Sequence, residues 1–203
     1  MFKLIGKNGE EIKETNEMVN VTKQFYEQLY KKKTVKDVNI NDIVTNLPKL
    51  NEEKANTLEG PICYDEAATA LKNMKNDKSP GTDGMTVNFF KFFWKDLGNF
   101  IIRSLIEGFK FGKMSITQRE GIITCIPKGD KPREFLKNWR PISLLNVVYK
   151  IGSSCIANRI KGVLPDLIHE DQTGFVPGRY IGDNLRLLYD IMYYLKIKTY
   201  QDS

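Results

Sequence analysis

Asn138-Trp139-Arg140-Pro141-Ile142-Ser143-Leu144-Leu145-Asn146-Val147-Val148-Tyr149-Lys150 is the stretch whose reading decides the fold. Pro141 biases Arg140 away from helical backbone, so Arg140 is expected on extended chain with a helix starting a few residues later. Upstream, Ile122-Ile123-Thr124-Cys125-Ile126 is an apolar run of strand length that stops at Pro127-Lys128, and it reads as a short buried strand. Between the two lies Gly129-Asp130-Lys131-Pro132-Arg133-Glu134, whose turn composition predicts a mobile basic loop. The pattern is strand, loop and second extended segment, with a cation at each shoulder, Lys128 and Arg140.

Working outward, helices dominate. Thr15 to Lys31 carries Met18, Val21, Phe25 and Leu29 at helical spacing, flanked by Tyr26 and Tyr30, and Lys31-Lys32-Lys33 suits a helix C-terminus. Asn8-Gly9 before it predicts a tight turn. Residues 34 to 62 are polar and broken by Pro48, Gly60 and Pro61, as in a linker with a short helix near Glu52 to Leu58. Helices are expected over Tyr64 to Lys75 (Ala67, Leu71 and Met74 inward) and from Thr86, its cap, onward with Phe89, Phe90, Phe93 and Trp94 as core. Leu97 to Lys110 adds Ile101, Leu105 and Phe109. After the strands, Asn146 to Lys161 places Val148, Ile151 and Cys155 inward, and Pro165 starts another turn to His169. Gln172 to Gly182 is a loop, and the last helix sets Leu185, Leu188, Met192 and Leu195 on a core face. The fold class is α+β and helix-rich.

The 203 residues are 41% hydrophobic and 28% charged, which makes the chain globular rather than disordered and long enough to bury a core. No apolar run approaches a membrane span, and Met1 to Lys7 is too short for a secretory signal. Cys63, Cys125 and Cys155 are odd in number and far apart, so free thiols in a reducing, intracellular setting are expected, not zinc ligands or disulfides. Net charge is +6, but Arg103 to Lys161 holds twelve Lys or Arg against four Asp or Glu. That block is either an electrostatic footprint for phosphates or a solvated surface.

Lys78-Ser79-Pro80-Gly81-Thr82-Asp83-Gly84 does not follow the pattern of a P-loop, which needs Gly-Lys and then Ser or Thr. It is either a structural turn or a loop whose amides approach a phosphate. His169 has no nucleophile or second metal ligand at useful spacing and reads as a surface residue. There is no Asp-Asp pair, and Asp65-Glu66 reads as a helix-start pair. No catalytic and no metal-binding residue is assigned.

Ile126-Pro127-Lys128, the basic loop and Trp139-Arg140-Pro141-Ile142-Ser143-Leu144 resemble the fingers of reverse transcriptases from LINE-type non-LTR retrotransposons. Lys78 to Gly84, Ala157-Asn158-Arg159-Ile160 and Asp171-Gln172-Thr173-Gly174-Phe175-Val176-Pro177-Gly178-Arg179 resemble the family's flanking segments, over roughly residues 60 to 198. The resemblance implies a partial right-hand polymerase: a helical linker region over 1–62, then fingers and the start of the palm over 63–203, ending before the catalytic carboxylates. It implies that Lys128 and Arg140 contact dNTP phosphates and that Lys78, Gly81, Arg159 and Arg179 contact nucleic acid. An RNA template, a DNA primer, dNTPs, Mg²⁺ for the full enzyme and a nuclear location follow in the same way. An upstream endonuclease is implied for the full protein, and this stretch alone is expected to be inactive. The rival readings are a non-catalytic RNA- or DNA-binding module and a protein-interaction domain.

Overall fold

A computed structural model describes residues 3–6, 8–32 and 47–201, with side chains as far as Lys198. In chain order the elements are β1 (Leu4–Ile5), β2 (Glu11–Ile12), α1 (Thr15–Tyr30), α2 (Glu52–Asn56), α3 (Tyr64–Asn73), α4 (Val87–Phe92), α5 (Trp94–Lys110), α6 (Ile116–Arg119), β3 (Gly121–Pro127), β4 (Trp139–Leu145), α7 (Val147–Leu167) and α8 (Gly182–Gln201). A single 3₁₀ turn, Leu136–Asn138, leads into β4. Among the described residues the sheets are two antiparallel hairpins, β1–β2 and β3–β4, and everything else regular is helical, which is the α+β class.

The core is built by α3, α4, α5 and α7 around Ala67, Leu71, Phe90, Trp94, Leu105, Ile151 and Cys155. Small residues let the axes come close. A Cβ on Gly152 would stand 2.9 Å from Leu105, and one on Gly98 would stand 2.9 Å from the Tyr64 ring. Thr86 caps α4 as the sequence predicts, its Oγ1 accepting from the Phe89 amide at 3.2 Å. Phe90 and Trp94 are buried, but Phe93 and Phe109 are exposed, because α4 and α5 have only one side toward α3 and α7. Pro165 starts no new helix: α7 runs through it to Leu167.

The β3–β4 hairpin projects from this body as an arm. Its register pairs Gly121 with Leu145 at the root and Pro127 with Trp139 near the tip. The expected buried strand is not buried: Ile122, Ile123 and Ile126 are each nearly half exposed. With one partner strand and cover over part of one face, β3 cannot be enclosed as a central strand would be. The cover is the N-terminal segment. Leu4, Ile12 and Tyr26 are buried, and the Ile5 amide donates to the Glu134 carbonyl at 2.8 Å. On α1 it is Tyr26, not Leu29, that is buried, because the inward line is set by contact with the arm near Cys125.

The helix α8 departs furthest from expectation. Leu185, Leu188, Met192 and Leu195, read as a core face, are all more than half exposed. The helical spacing is real, but none of the other described elements covers it. Residues 34–46, within the stretch read as a linker, lie outside the described residues, as does Lys33.

Candidate nucleic-acid interface

Antiparallel partners share a face of a hairpin, and alternate residues along each strand share it too. The register therefore puts Thr124, Ile126, Arg140 and Ile142 on one face, and Ile123, Cys125, Trp139 and Pro141 on the other. Lys128 lies one step past β3. Its amide donates to the Asn138 carbonyl at 2.8 Å, which extends the ladder and keeps Lys128 on the side of Ile126 and Arg140. The opposite face is the one α1 packs against. Cys125 Sγ lies 3.4 Å from the Tyr26 hydroxyl, and a groove of about 360 Å³ is lined by Met18, Val19, Cys125 and Trp139. Burial, then the contact with Cys125, pushes the Tyr26 hydroxyl well above the ordinary tyrosine range. So α1 backs the arm and leaves the Lys128–Arg140 face open.

The basic loop is held, where the composition predicts mobility. Asn138 Nδ2 donates to the Pro132 carbonyl at 2.8 Å, and the Trp139 indole donates to the Arg133 carbonyl at 2.8 Å. Lys128 Nζ donates to the Lys137 carbonyl at 2.7 Å, folding back over the loop base. Together with the Ile5–Glu134 bond these contacts fix the tip from both sides. Lys128 is partly buried and Arg140 is exposed.

The Lys78–Gly84 loop sits at the opposite end of the arm. Thr82 Oγ1 and the Asp83 amide approach Asn146 Oδ1 at 3.2 and 3.4 Å, while Asn146 Nδ2 donates to the Thr117 carbonyl at 2.7 Å. Asn146 is buried and joins three segments where both strands of the arm meet the body. A Cβ on Gly81 would fall 2.0 Å from Asn146 Oδ1 and 2.5 Å from its backbone nitrogen. Gly81 is therefore required by close backbone packing. Lys78 points outward from the same loop and is exposed. Root and tip are six residue steps apart, about 20 Å, so Lys78 and Lys128 do not serve one small anion.

Two further cations have internal work. The Arg159 guanidinium donates from Nε and Nη2 to Glu66 at 2.6 and 2.7 Å, from Nη1 to the Leu58 and Gly60 carbonyls, and from Nη2 to the Pro61 carbonyl. The Arg159 hydrogen bonds hold the Glu66 carboxyl at about 2, well below the usual carboxylate range. Arg159 thus fastens α7 to the start of α3. Arg179 donates to the Pro165, Ile168, His169 and Gln172 carbonyls and closes the C-terminal end of α7. Each side chain thus ties two parts of the protein together, while the resemblance implies nucleic-acid contact for both.

Sequence reasoning missed Asn146, Tyr26 and the tie between Glu66 and Arg159. The last spans 93 positions and leaves no local signal. Gly81 beside a buried Asn could have been found only by knowing the pairing of β3 with β4. Among the described residues no group of three or more His, Cys, Asp or Glu could hold a metal ion, and no helix is long and apolar enough to cross a membrane.

No protein-family model matches the chain. Among curated proteins it is similar to the transposon TX1 uncharacterized 149 kDa protein of Xenopus laevis, 36% identical over 193 residues, or 95% of this chain. It is also similar to the probable RNA-directed DNA polymerase from transposon BS of Drosophila melanogaster, 30% identical over 128 residues, or 58% of this chain. The chain spans 15% and 13% of the lengths of these relatives.

Proposed function

We propose that this chain, whose relatives are proteins of LINE-type non-LTR retrotransposons, is the fingers part of a reverse transcriptase and that its hairpin arm handles the nucleotide triphosphate. The observation that carries the reading is the register of the arm, with Lys128 and Arg140 on the one face that α1 leaves open. Arginine offers a planar fork that grips phosphate oxygens in pairs, and lysine a point charge, so the two divide a polyanion between them. Cations fixed where charge shifts during phosphoryl transfer stabilise the transition state. Nucleic acid would be gathered by the wider basic block from Arg103 to Lys161, with Lys78 at the root of the arm.

Transfer itself would need Mg²⁺ held by carboxylates. The described residues do not offer such a set, and the resemblance places it in the palm of the longer protein. Lys128 and Arg140 would therefore hold the triphosphate and balance its charge, and the metal-bound carboxylates would lie elsewhere. RNA template, DNA primer, dNTPs and a nuclear location belong to the same proposal.

Two measurements test it. Affinity of the chain for an RNA–DNA hybrid should fall linearly in log–log form as salt rises, because neutralised phosphates release counterions. A flat titration would favour a protein-interaction domain. In the complete protein, Arg140→Ala should lower kcat/KM for dNTP by roughly one to two decades, the loss of a charge-assisted contact of about 1.5–3 kcal/mol, with hybrid affinity little changed. Arg133→Ala, on the loop between the shoulders, is the control. If it harms nucleotide use as much as Arg140→Ala, the assignment of the shoulders is wrong.

A further inference from the structure

The N-terminal segment packs on the arm and not on the helical core. The core cluster runs from Ile62 to Cys155 and includes none of Leu4, Ile12 and Tyr26, which are nevertheless buried. Successive amides along a strand point to opposite sides. The Ile5 amide donates to the Glu134 carbonyl of the loop at 2.8 Å, and the next amide, Gly6, donates to the Glu10 carbonyl at 2.9 Å. One edge of β1 therefore holds its own hairpin and the other holds the loop of the arm. The helix α1 meets the arm at Cys125, through the Tyr26 hydroxyl. The seam between segment and arm is not filled. Its groove of about 360 Å³ takes Leu4, Met18 and Val19 from the segment and Cys125, Leu136 and Trp139 from the arm. A second groove, of about 570 Å³, takes Phe25 from α1 and Phe135, Leu136 and Lys137 from the loop. Leu136 borders both, and the carbonyl of the residue after it, Lys137, accepts from Lys128 Nζ at 2.7 Å.

We infer that the N-terminal segment is a positioning device for the Lys128 ammonium, an inference that rests on the nucleotide reading above and deepens it. The Ile5–Glu134 bond and the seam at Leu136 fix the stretch that carries the Lys137 carbonyl. That carbonyl takes one of the three donors of the ammonium and leaves two for phosphate oxygens. Arg140 is placed differently. It lies within β4 opposite Ile126, where the ladder itself sets its position, and on the face that α1 leaves open. The two shoulder cations are thus held by separate means, one by the segment packed on the loop and one by the strand pairing. A shift of the segment would move Lys128 against Arg140 and change the fit of the pair to a triphosphate. The half-filled seam allows such a shift, because few side-chain contacts oppose it.

The test is a double-mutant cycle in the complete protein, read as KM and kcat for dNTP. Ile5→Pro removes the amide that reaches Glu134 and spares the Gly6 bond. Alone it should raise KM for dNTP about fivefold, with kcat and RNA–DNA hybrid affinity each moving less than about twofold. In Lys128→Ala protein the same change should move KM less than about twofold, because the ammonium it positions is gone. In Arg140→Ala protein the fivefold rise should persist. Should Ile5→Pro lose the wild-type circular dichroism, Tyr26→Ala, which opens the seam from α1, decides by the same cycle. A KM unchanged by the segment variant, or an equal rise in both backgrounds, overturns the inference and leaves the segment as a support for the arm as a whole. If Lys128→Ala and Arg140→Ala each leave nucleotide use at the wild-type level, the nucleotide reading fails and this one fails with it. If both impair nucleotide use and the segment variant is not coupled to Lys128, only this one fails.

Discussion

The helical body and the hairpin arm are held together by different forces. In the body, Ala67, Leu105 and Ile151 are almost completely enclosed, and small residues such as Gly152 set how closely the helices approach. In the arm the isoleucines stay half exposed, and position comes from hydrogen bonds: the ladder itself, Asn146 at the root, and the Asn138, Trp139 and Ile5 bonds at the tip. Even the arginines divide this way. Arg159, in the body, gives its donors to Glu66 and carbonyls, while Arg140, on the arm, is exposed. Stability thus concentrates in the enclosed helices, and the arm, which carries Lys128 and Arg140, contributes little burial.

The contrast can be broken by substitution. Leu105→Ala should destabilise the chain by about 2–5 kcal/mol in urea unfolding, since it removes apolar burial and leaves a cavity. Ile142→Ala on the open face of the arm should cost well under about 1 kcal/mol. Equal losses would mean that the arm is packed as tightly as the body.

Arg159→Met should cost about 2 kcal/mol, less than the roughly 3–5 kcal/mol for a fully buried pair, because Arg159 and Glu66 retain 17% and 29% side-chain exposure. Arg140→Met should stay within about 0.5 kcal/mol in the same unfolding experiment. A stability loss at Arg140 comparable to that at Arg159 would assign both to structure.

Acid sharpens the same contrast. Glu66 is held at about 2 in the folded chain by Arg159, against an ordinary 4.5. A carboxyl depressed by folding contributes stability above its unfolded value and loses it as pH falls toward the folded one. Stability should therefore decline between about pH 4.5 and pH 2, and Glu66→Gln should remove that part of the slope. Glu11 is also lowered to about 2, first through Lys3 and then Lys13, but it lies on the surface. At about 1 M salt, where screening reaches within about 3 Å, the Glu11 part should fade and the Glu66 part persist. The smallest effect is expected at the thiols: Cys63 should react first with a maleimide and Cys155 only on unfolding, since burial pushes Cys155 up to about 11. Early labelling of Cys155 would show a looser body.

Much of this was legible before folding. Spacing of apolar residues located the helices, Thr86 marked a cap, Asn8-Gly9 a turn, and Pro141 an extended Arg140. Each is a local property, since backbone preference and periodicity act over a few residues. What failed was burial. Ile122 to Ile126 reads the same whether a strand is central or on an exposed hairpin, and the spacing in α8 does not say what covers it.

The sequence by itself determined the long helices and the β3–β4 segments, the concentration of basic charge and the resemblance to LINE-type reverse transcriptases, because these depend on residue type and order alone. Only the tertiary structure decided the work of individual cations. Glu66 lies 93 positions from Arg159, and Gly81 meets Asn146 across more than sixty residues of chain. Which guanidinium closes a helix end and which stays open to solvent is settled by partners brought together through packing, and chain order carries no record of that proximity.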